Sequence, residues 1–349
     1  MKILLVGAVA AVLTSGAARA QTYSVQVLEP FPTYDTSTAD RVNNLGQVAG
    51  LSSRTGGSLR TFFFDGSTVI DLLPGEQTLA QGINDNSDVA VNLSNYCHQA
   101  LLITGDGQRL ELGTRECDGA VSEGLNTVYA VNSSRQAVGF AHSFLQRHFI
   151  GEHAAIWDSG NVTDLGTLGG GTSIATAINE SGMVAGWSQT NQPNTIHPFL
   201  YADGQMQDLG TLGGQNARAT AINGDGLVVG SALTAGDEVG TRSRAFLYDG
   251  SQMNDLGTLP GSDASWATSI NSSGWVVGYA STNAPDGGTT SRGFLYDGNS
   301  MMDLNDLVAG SGWLIVDARS INDAGQIAAV AAGFEDGRSV IRAVLLNPN

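Results

Sequence analysis

Lysine is almost absent from this sequence of 349 residues, since Lys2 is its single lysine. The chain holds 16 lysine and arginine residues against 33 aspartate and glutamate residues, and its formal net charge is −17. Proteins that bind nucleic acid or anionic membranes need clustered cations, so neither partner is expected. A phosphate-loop lysine and Schiff-base chemistry are excluded for the same reason.

Cysteine is also scarce, with only Cys97 and Cys117. Both fall in the second of the repeat units described below and in the loop that leaves it. In an oxidising compartment we expect them to form a disulfide, which would stabilise the fold by about 3 kcal/mol. The alternative is a pair of small buried hydrophobic side chains.

Long hydrophobic runs are missing beyond the first twenty residues. That segment combines Lys2, an apolar run over residues 3–13 and Ala18-Arg19-Ala20, a pattern typical of a secretory signal peptide cleaved after Ala20. The run is too short to span a bilayer, so membrane insertion is not expected. We predict a signal peptide over residues 1–20, one domain over residues 21–349, and a secreted protein, either extracellular or periplasmic.

A hydrophobic residue followed by asparagine recurs along the chain and sets the length of an internal repeat. Successive asparagines are 41 to 51 residues apart, a period typical of propellers and solenoids. From about residue 38 onward the chain therefore reads as seven copies of one unit, in which we expect the asparagines to be structural. They are Asn43, Asn84, Asn132, Asn179, Asn223, Asn271 and Asn322.

Each unit reads as four short strands. Around Asn223 these are Ala-Thr-Ala-Ile-Asn at 219–223, Gly-Leu-Val-Val-Gly at 226–230, Arg-Ala-Phe-Leu-Tyr at 244–248 and Met-Asn-Asp-Leu at 253–256. Four strands in about 45 residues match a propeller blade, and no window after the first twenty residues sustains a helical period. We predict an all-β fold, a seven-bladed β-propeller of four-stranded blades. An open solenoid of β units is the alternative.

The ends of the chain predict how the ring closes. The last unit stops at Asn349 without a fourth strand, whereas residues 22–29 precede the first unit and align with a fourth strand. The N-terminal strand should therefore complete the last blade and leave no long unpaired edge.

The turn after each recurring asparagine has the form Asn-x-x-Gly. The asparagine can cap its own backbone, and glycine can adopt a positive φ. Ser87 and Arg135 replace this glycine in the second and third units. We therefore expect those two hairpins to be distorted.

With the units aligned, the chain resembles the HAF-repeat family of bacterial extracellular proteins, named for a His-Ala-Phe tripeptide. The resemblance rests on Asp-Leu-Gly-Thr-Leu-Gly-Gly at 208–214 and on the asparagine, Val-Val-Gly and Phe-Leu-Tyr motifs that follow it. It is close over residues 164–304 and looser elsewhere, and the tripeptide is imperfect, as in His197-Pro198-Phe199. The resemblance implies an exported repeat protein and supplies no established reaction or catalytic residues.

Unequal connections predict which face of the ring carries the function. The turns that join first to second strands and third to fourth strands are tight. The connections from second to third strands, and from a fourth strand to the next first strand, are long. In a propeller these long connections share one face, where a local function is expected. Trp187, Trp266 and Trp313 lie at or beside them, and they suit stacking against sugar rings or a partner surface. Packing between blades is the alternative interpretation.

Candidate catalytic groups are few, and no Gly-x-Ser-x-Gly nucleophile motif occurs. Three histidines cluster at His142, His148 and His153, but His153 occupies a repeated strand-edge position. No metal site and no cofactor are therefore expected. A catalytic alternative would gather long-loop carboxylates and an arginine on one face, as Asp237, Arg242 and Asp263. Two non-repeat carboxylates within reach of each other near the axis would favour that alternative.

Regular repeats, unequal faces and the lack of a convergent nucleophile and base favour a binding protein. We expect a secreted, non-catalytic, monomeric repeat protein that binds an extracellular polysaccharide or a protein partner through its long-loop face. The alternative is a secreted polysaccharide hydrolase or lyase with a carboxylate and arginine site on the same face.

Overall fold

The computed structural model describes residues 21–94, 99–113, 125, 127–145, 148–237, 242–283 and 288–349, without the side chains of residues 143–145 and 148–150. The predicted signal peptide over residues 1–20 and the predicted disulfide between Cys97 and Cys117 lie outside the described residues. The side chain of His148 lies outside them too.

The described chain forms 28 β-strands and one short helix. The N-terminal strand and units one to three contain β1 (Tyr23–Leu28), β2 (Thr36–Val42), β3 (Val48–Arg54), β4 (Ser58–Phe64), β5 (Val69–Asp71), β6 (Thr78–Ile83), β7 (Val89–Leu93), β8 (Gln99–Ile103), β9 (Arg109–Glu111), β10 (Thr127–Val131), β11 (Ala137–Leu145), β12 (His148–Asp158) and β13 (Asn161–Asp164). Units four to seven contain β14 (Gly169–Ile178), β15 (Val184–Thr190), β16 (Ile196–Ala202), β17 (Gln205–Asp208), β18 (Gly213–Ile222), β19 (Val228–Thr234), β20 (Ser243–Tyr248), β21 (Met253–Asp255), β22 (Ala264–Ile270), β23 (Val276–Asn283), β24 (Thr289–Tyr296), β25 (Met301–Asp303), α1 (Leu304–Leu307), β26 (Leu314–Ile321), β27 (Ile327–Glu335) and β28 (Arg338–Pro348).

The strands form antiparallel sheets in chain order. Units one, two, three and six each make one four-stranded sheet. Units four and five share an eight-stranded sheet, joined by a single parallel pair between Ile196 and Asn216. The prediction of an all-β fold is confirmed. No described helix is long and apolar enough to cross a membrane.

The seventh unit takes its fourth strand from the beginning of the chain. Strand β1 pairs antiparallel with β28, from Tyr23 opposite Pro348 to Leu28 opposite Ala343. Beyond them, the Asn349 amide donates to the Thr22 carbonyl at 2.9 Å. The pairing that the sequence predicted between residues 22–29 and the last unit is present.

A repeated contact between phenylalanine and glycine forms the core of several units. Phe62, Phe199 and Phe294 on third strands are fully buried. A Cβ on the facing second-strand glycine would lie within 2.8 Å of the ring in each case, as at Gly50 and Gly278. A Cβ would lie closer still to the carbonyl oxygen of the neighbouring first strand, at 2.2 Å for Gly50 and 2.0 Å for Gly230 and Gly278. The motif therefore ends in glycine because this backbone oxygen, and in several units the aromatic ring, occupies the space.

The turns at Ser87 and Arg135 are regular, so the prediction of distorted hairpins is wrong. Ser87 and Arg135 adopt φ values of 65° and 62°, the left-handed region that glycine occupies at this position elsewhere. Their amides donate to Asn84 and Asn132 at 3.2 and 2.9 Å, as the Gly182 amide does to Asn179 at 3.1 Å. The turn geometry is kept at a strain cost of about 1–2 kcal/mol per residue.

Candidate functional site

The seven recurring asparagines form a closed ring of hydrogen bonds. Each side-chain amide donates to the backbone carbonyl of the next asparagine along the chain, and Asn322 donates to Asn43. The seven distances lie between 2.9 and 3.2 Å. Each side-chain oxygen accepts turn amides in its own unit, as Asn223 does from Leu227 at 3.0 Å. One residue type thus caps its own turn and joins two units.

A β-bulge sits three residues before each of these asparagines. In every first strand the register with the second strand shifts at this point. Bulges redirect a side chain out of the regular alternation, and here the bulged residues all line one axial cavity of about 410 Å³. They are Asp40, Gln81, Tyr129, Thr176, Thr220, Thr268 and Arg319.

Three of the bulged residues are threonines with a shared structural role. The hydroxyls of Thr176, Thr220 and Thr268 donate to a backbone carbonyl of the following unit, at 3.0, 2.8 and 2.6 Å. The other four positions depart from threonine and give the cavity its chemical character.

Arg319 holds two carboxylates in this cavity. Its guanidinium bonds Asp40, and its Nε donates to Asp317 at 2.8 Å. One oxygen of each carboxylate, Asp40 Oδ2 and Asp317 Oδ1, is buried without a hydrogen-bond partner in the described structure. Burial raises the pKa of Asp40 even though Arg319 attracts its charge. Burial opposes the charge of Arg319, but Asp40 and Asp317 raise its pKa overall.

Arg41 is the second cation of the cavity and has far fewer partners. Among the described residues its guanidinium makes one hydrogen bond, to the Asp40 carbonyl at 2.9 Å, and no ion pair. Burial lowers the pKa of Arg41, with Asp40 and Asp317 acting in the opposite direction. The other six units have glycine, alanine or serine at the equivalent position, two residues before the asparagine.

Tyr129 lines the same cavity from the third unit, whereas the charged cluster belongs to the first and seventh units. Burial raises the pKa of its hydroxyl, and the charge of Glu152 raises it further. Gln81 and the apolar side chains of Leu51 and Leu79 complete this part of the wall. The cavity therefore combines a bridged charge cluster, one sparsely paired arginine, neutral donors and a small apolar patch.

The three predicted tryptophans are half-buried and occupied by contacts within the fold. Arg218 stands over the Trp187 ring at 5.1 Å from its centroid. Trp266 stacks on Tyr279 with ring centroids 5.0 Å apart and an interplanar angle of 18°. A Cβ on Gly333 would lie 2.6 Å from the Trp313 ring, so Trp313 covers that glycine. These contacts favour the packing interpretation.

The weaker catalytic candidates make separate contacts with backbone amides. The Asp237 carboxylate accepts the backbone amide of Arg242. Asp263 instead accepts the backbone amide of Asn283 at 2.8 Å, in the following unit. The repeated aspartates pair with the strand-edge histidines and arginines, as in His153 with Asp164 at 2.9 Å.

Sequence reasoning missed Asp40, Arg41, Asp317 and Arg319. The signal was present in the aligned repeat for three of these residues, because the positions of Asp40, Arg41 and Arg319 are charged only in the first or seventh unit. The position of Asp317 is also charged in the fifth unit, where it is Arg218. These are non-repeat carboxylates near the axis, the feature that the catalytic alternative requires.

Comparison with known proteins gives a family and a fold. A family model described as a protein of unknown function (DUF3466) matches residues 124–260 and, in a second overlapping match, residues 215–341. No curated protein matches the sequence significantly.

Solved structures similar to this chain include the β-propeller domain of the Trilobed protease from Pyrococcus furiosus, at 8% identity and a TM-score of 0.53, covering 88% of this chain and 97% of that one. YCF48 bound to D1 peptide is 10% identical with a TM-score of 0.51, covering 94% and 96%. A prolyl endopeptidase is 11% identical with a TM-score of 0.54, covering 90% of this chain and 50% of that one. At these identities the likeness concerns the fold alone: an all-β chain with β-propeller neighbours.

Proposed function

This chain belongs to the DUF3466 family of proteins of unknown function, and we propose that it is a secreted, non-catalytic β-propeller that binds an extracellular polysaccharide in its axial cavity. The observation that carries the proposal is the set of four departures from threonine around that cavity, Asp40, Gln81, Tyr129 and Arg319. Residues that only close the ring have no need to differ between units. A cavity in which a few polar groups converge beside apolar side chains is the usual form of a ligand-binding site.

A seven-bladed ring is part of this proposal. The closed set of seven asparagine hydrogen bonds supports it, because each bond joins one unit to the next and the last joins the first. The single pair between Ile196 and Asn216 is a small contact between two otherwise complete four-stranded units. We therefore count the eight-stranded sheet as two blades.

Export is a further part of the proposal. The signal-peptide pattern over residues 1–20 and the resemblance to HAF-repeat proteins both support a secreted protein. A high negative charge favours solubility outside the cell. The proposed ligand is therefore sought among extracellular polymers, with a protein partner as the other class.

The electrostatic arrangement favours binding over catalysis. A general acid must transfer a proton to the substrate, and a nucleophile must reach the atom that it attacks. Asp40 and Asp317, in contrast, each accept a hydrogen bond from Arg319 at one carboxylate oxygen. Their other oxygens are shielded from the cavity surface. The cluster is thus better placed to fix the shape and charge of the cavity than to react.

A polysaccharide hydrolase is the second candidate, and one observation favours it. Asp40 and Asp317 are non-repeat carboxylates on the same arginine, and burial raises the pKa of Asp40. Two carboxyl groups in different environments are the arrangement that glycoside hydrolysis uses.

Retention of the purified protein on immobilised polysaccharides, with sugar release measured in the same tubes, tests both candidates. The variants Tyr129→Thr and Gln81→Thr restore the residue that the repeat has elsewhere, so they should fold and lose retention. Ile70→Thr, at an exposed position (45%) away from the cavity, is the matched control and should be retained. Undiminished retention of Tyr129→Thr and Gln81→Thr would place the ligand elsewhere.

Sugar release by the wild-type protein that disappears in Asp40→Asn would favour the hydrolase. Retention without release supports the binding protein. Retention on no polysaccharide contradicts the polysaccharide ligand and directs the search to protein partners.

A further inference from the structure

We propose that Arg41 binds a carboxylate of the ligand, and that the bound unit is a uronic acid of an acidic polysaccharide. This inference rests on the proposed function, since it specifies the ligand of the same axial cavity. Its basis is a guanidinium that lines the cavity and has a single backbone hydrogen-bond partner among the described residues.

Arg41 has no structural task that explains it. At the equivalent position in the sixth and seventh units, the serine hydroxyl accepts a backbone amide of the next unit: the Ile321 amide donates to Ser269 at 3.2 Å, and the Val42 amide to Ser320 at 3.2 Å. Arg41 replaces that small residue with a long cationic side chain. Most of its five N–H donors remain for a ligand, since one donates to the Asp40 carbonyl.

No described carboxylate lies within ion-pair distance of the Arg41 guanidinium, although Asp40 and Asp317 attract its charge from further away. A bound anion would give this half-buried cation a direct partner. Arg319, the other cation of the cavity, is already held by Asp40 and Asp317. The anion-binding capacity of the cavity therefore resides in Arg41.

The neighbouring charges select a single carboxylate over a phosphate. A guanidinium can bind a planar carboxylate through two parallel hydrogen bonds. A dianionic phosphate would bring a second negative charge toward Asp40 and Asp317 in the same cavity, which disfavours it by like-charge repulsion. The four charged side chains of the cavity sum to zero, so a ligand with one negative charge meets less repulsion there than a ligand with two.

The remaining wall favours a sugar over the end of a peptide. The hydroxyls of Thr176, Thr220 and Thr268 use their protons on backbone carbonyls, which leaves oxygen lone pairs as acceptors toward the cavity. Sugar hydroxyls supply the donors that such acceptors require. Gln81 and Tyr129 add further polar groups at the same level of the wall.

Calorimetric titration of the purified protein with galacturonate and galactose tests the inference, because the two sugars differ at the carboxylate. Galacturonate should bind at least about tenfold more tightly than galactose. Arg41→Gln should remove that preference, and Arg41→Lys should restore part of it because the charge returns without the planar fork. Arg218→Gln is the matched control, since Arg218 stands over Trp187, and it should keep the preference.

Equal binding of galacturonate and galactose, or an Arg41→Gln variant with unchanged preference, would overturn the inference. Tighter binding of inorganic phosphate than of galacturonate would overturn the carboxylate assignment, and tighter binding of N-acetylalanine would overturn the sugar assignment. Retention on a neutral polysaccharide that is lost in Tyr129→Thr would leave the proposed function intact while contradicting this inference. A protein that binds no saccharide contradicts both.

Discussion

Tyr23 places a hydroxyl in the protein interior without a hydrogen-bond partner among the described residues. The side chain is 4% exposed. Burial raises its pKa from 10.0 to about 12, so above pH 10 the unfolded chain loses the proton first. The stability that the protonated form provides is therefore lost as the pH rises from 10 toward 12.

Tyr23→Phe should leave stability near neutral pH unchanged or slightly higher, because no hydrogen bond is lost. Near pH 11 the variant should be more stable than the wild type by about 1 kcal/mol. Denaturant unfolding at about pH 8 and about pH 11 measures the difference. Tyr296→Phe is the control, since that hydroxyl donates to the Gly298 carbonyl at 3.1 Å in an exposed turn. An equal alkaline loss in Tyr23→Phe and wild type would contradict the assignment.

Ser87 and Arg135 occupy the same left-handed turn position in two units but carry different side-chain contacts. Arg135 Nε bonds the fully buried Asp88 carboxylate at 2.9 Å. Burial opposes the charge on Asp88, yet the hydrogen bonds from Arg135, Asn84 and Gly105 lower its pKa. The Ser87 hydroxyl donates one hydrogen bond to Gln47 Oε1 at 2.8 Å.

Glycine at these two positions should therefore have opposite effects. Ser87→Gly relieves backbone strain and removes one weak hydrogen bond. Because the strain is the larger effect, the free energy of unfolding should rise by up to about 1 kcal/mol. Arg135→Gly relieves similar strain but deprives a buried carboxylate of its cation, so it should lower the free energy of unfolding by about 1 kcal/mol. Parallel urea titrations of the two variants give the comparison. Stabilisation by both substitutions would show that the ion pair contributes nothing.

At the scale of the strand, the role of β1 is to complete the sheet of the last unit. Its six residues pair with β28, and Tyr23 and Leu28 bury their side chains, Leu28 to 2% exposure. Without β1, strand β28 becomes an unpaired edge with its apolar side chains uncovered.

Deletion of Tyr23 to Glu29 should lower the melting temperature sharply, by about 10 °C or more, and promote association through the exposed edge. Differential scanning calorimetry with light scattering follows both effects. Deletion of Gln21 and Thr22 alone removes the residues before the strand and serves as the control. A deletion variant that melts like the wild type would show that β1 does not support the fold.

The first and second strands of the units show which features could be predicted from the sequence and which could not. Apolar alternation and Val-Val-Gly motifs identified the strands, because those patterns depend on a side-chain period of two. A bulge interrupts that period at Asp40 and Arg319 without any local marker, so the direction of these side chains was not predictable. Seven aligned copies showed which position was unusual, but not that it faced the axis.

At the scale of the whole molecule, the missed site depends on contacts between the two ends of the repeat array. Arg319 and Asp40 are 279 residues apart and share a hydrogen bond. No local pattern relates residues at that separation, whereas the recurring asparagines were recognisable because each copy repeats the same motif. The tryptophans drew attention by residue type, whereas their contacts with Arg218, Tyr279 and Gly333 became visible only in the structure.

The ring of asparagine hydrogen bonds links every unit to the next one. Each asparagine supports its own turn and the next unit, so loss of one unit would leave buried polar groups of two others unpaired. Ordinary repeat arrays unfold from their ends because each repeat contacts only its neighbours. A closed ring has no end from which to fray.

The pairing of β1 with β28 also sets the order of events during biosynthesis. Ser24 donates to the Asn347 carbonyl, 323 residues later in the chain. Strand β1 is therefore synthesised long before its partner β28, and such distant contacts slow folding. Until β28 emerges, the apolar residues of β1 need protection from other chains. A chain truncated before β28 has no strand with which β1 can pair, so an exposed β1 would distinguish such a fragment from the folded array.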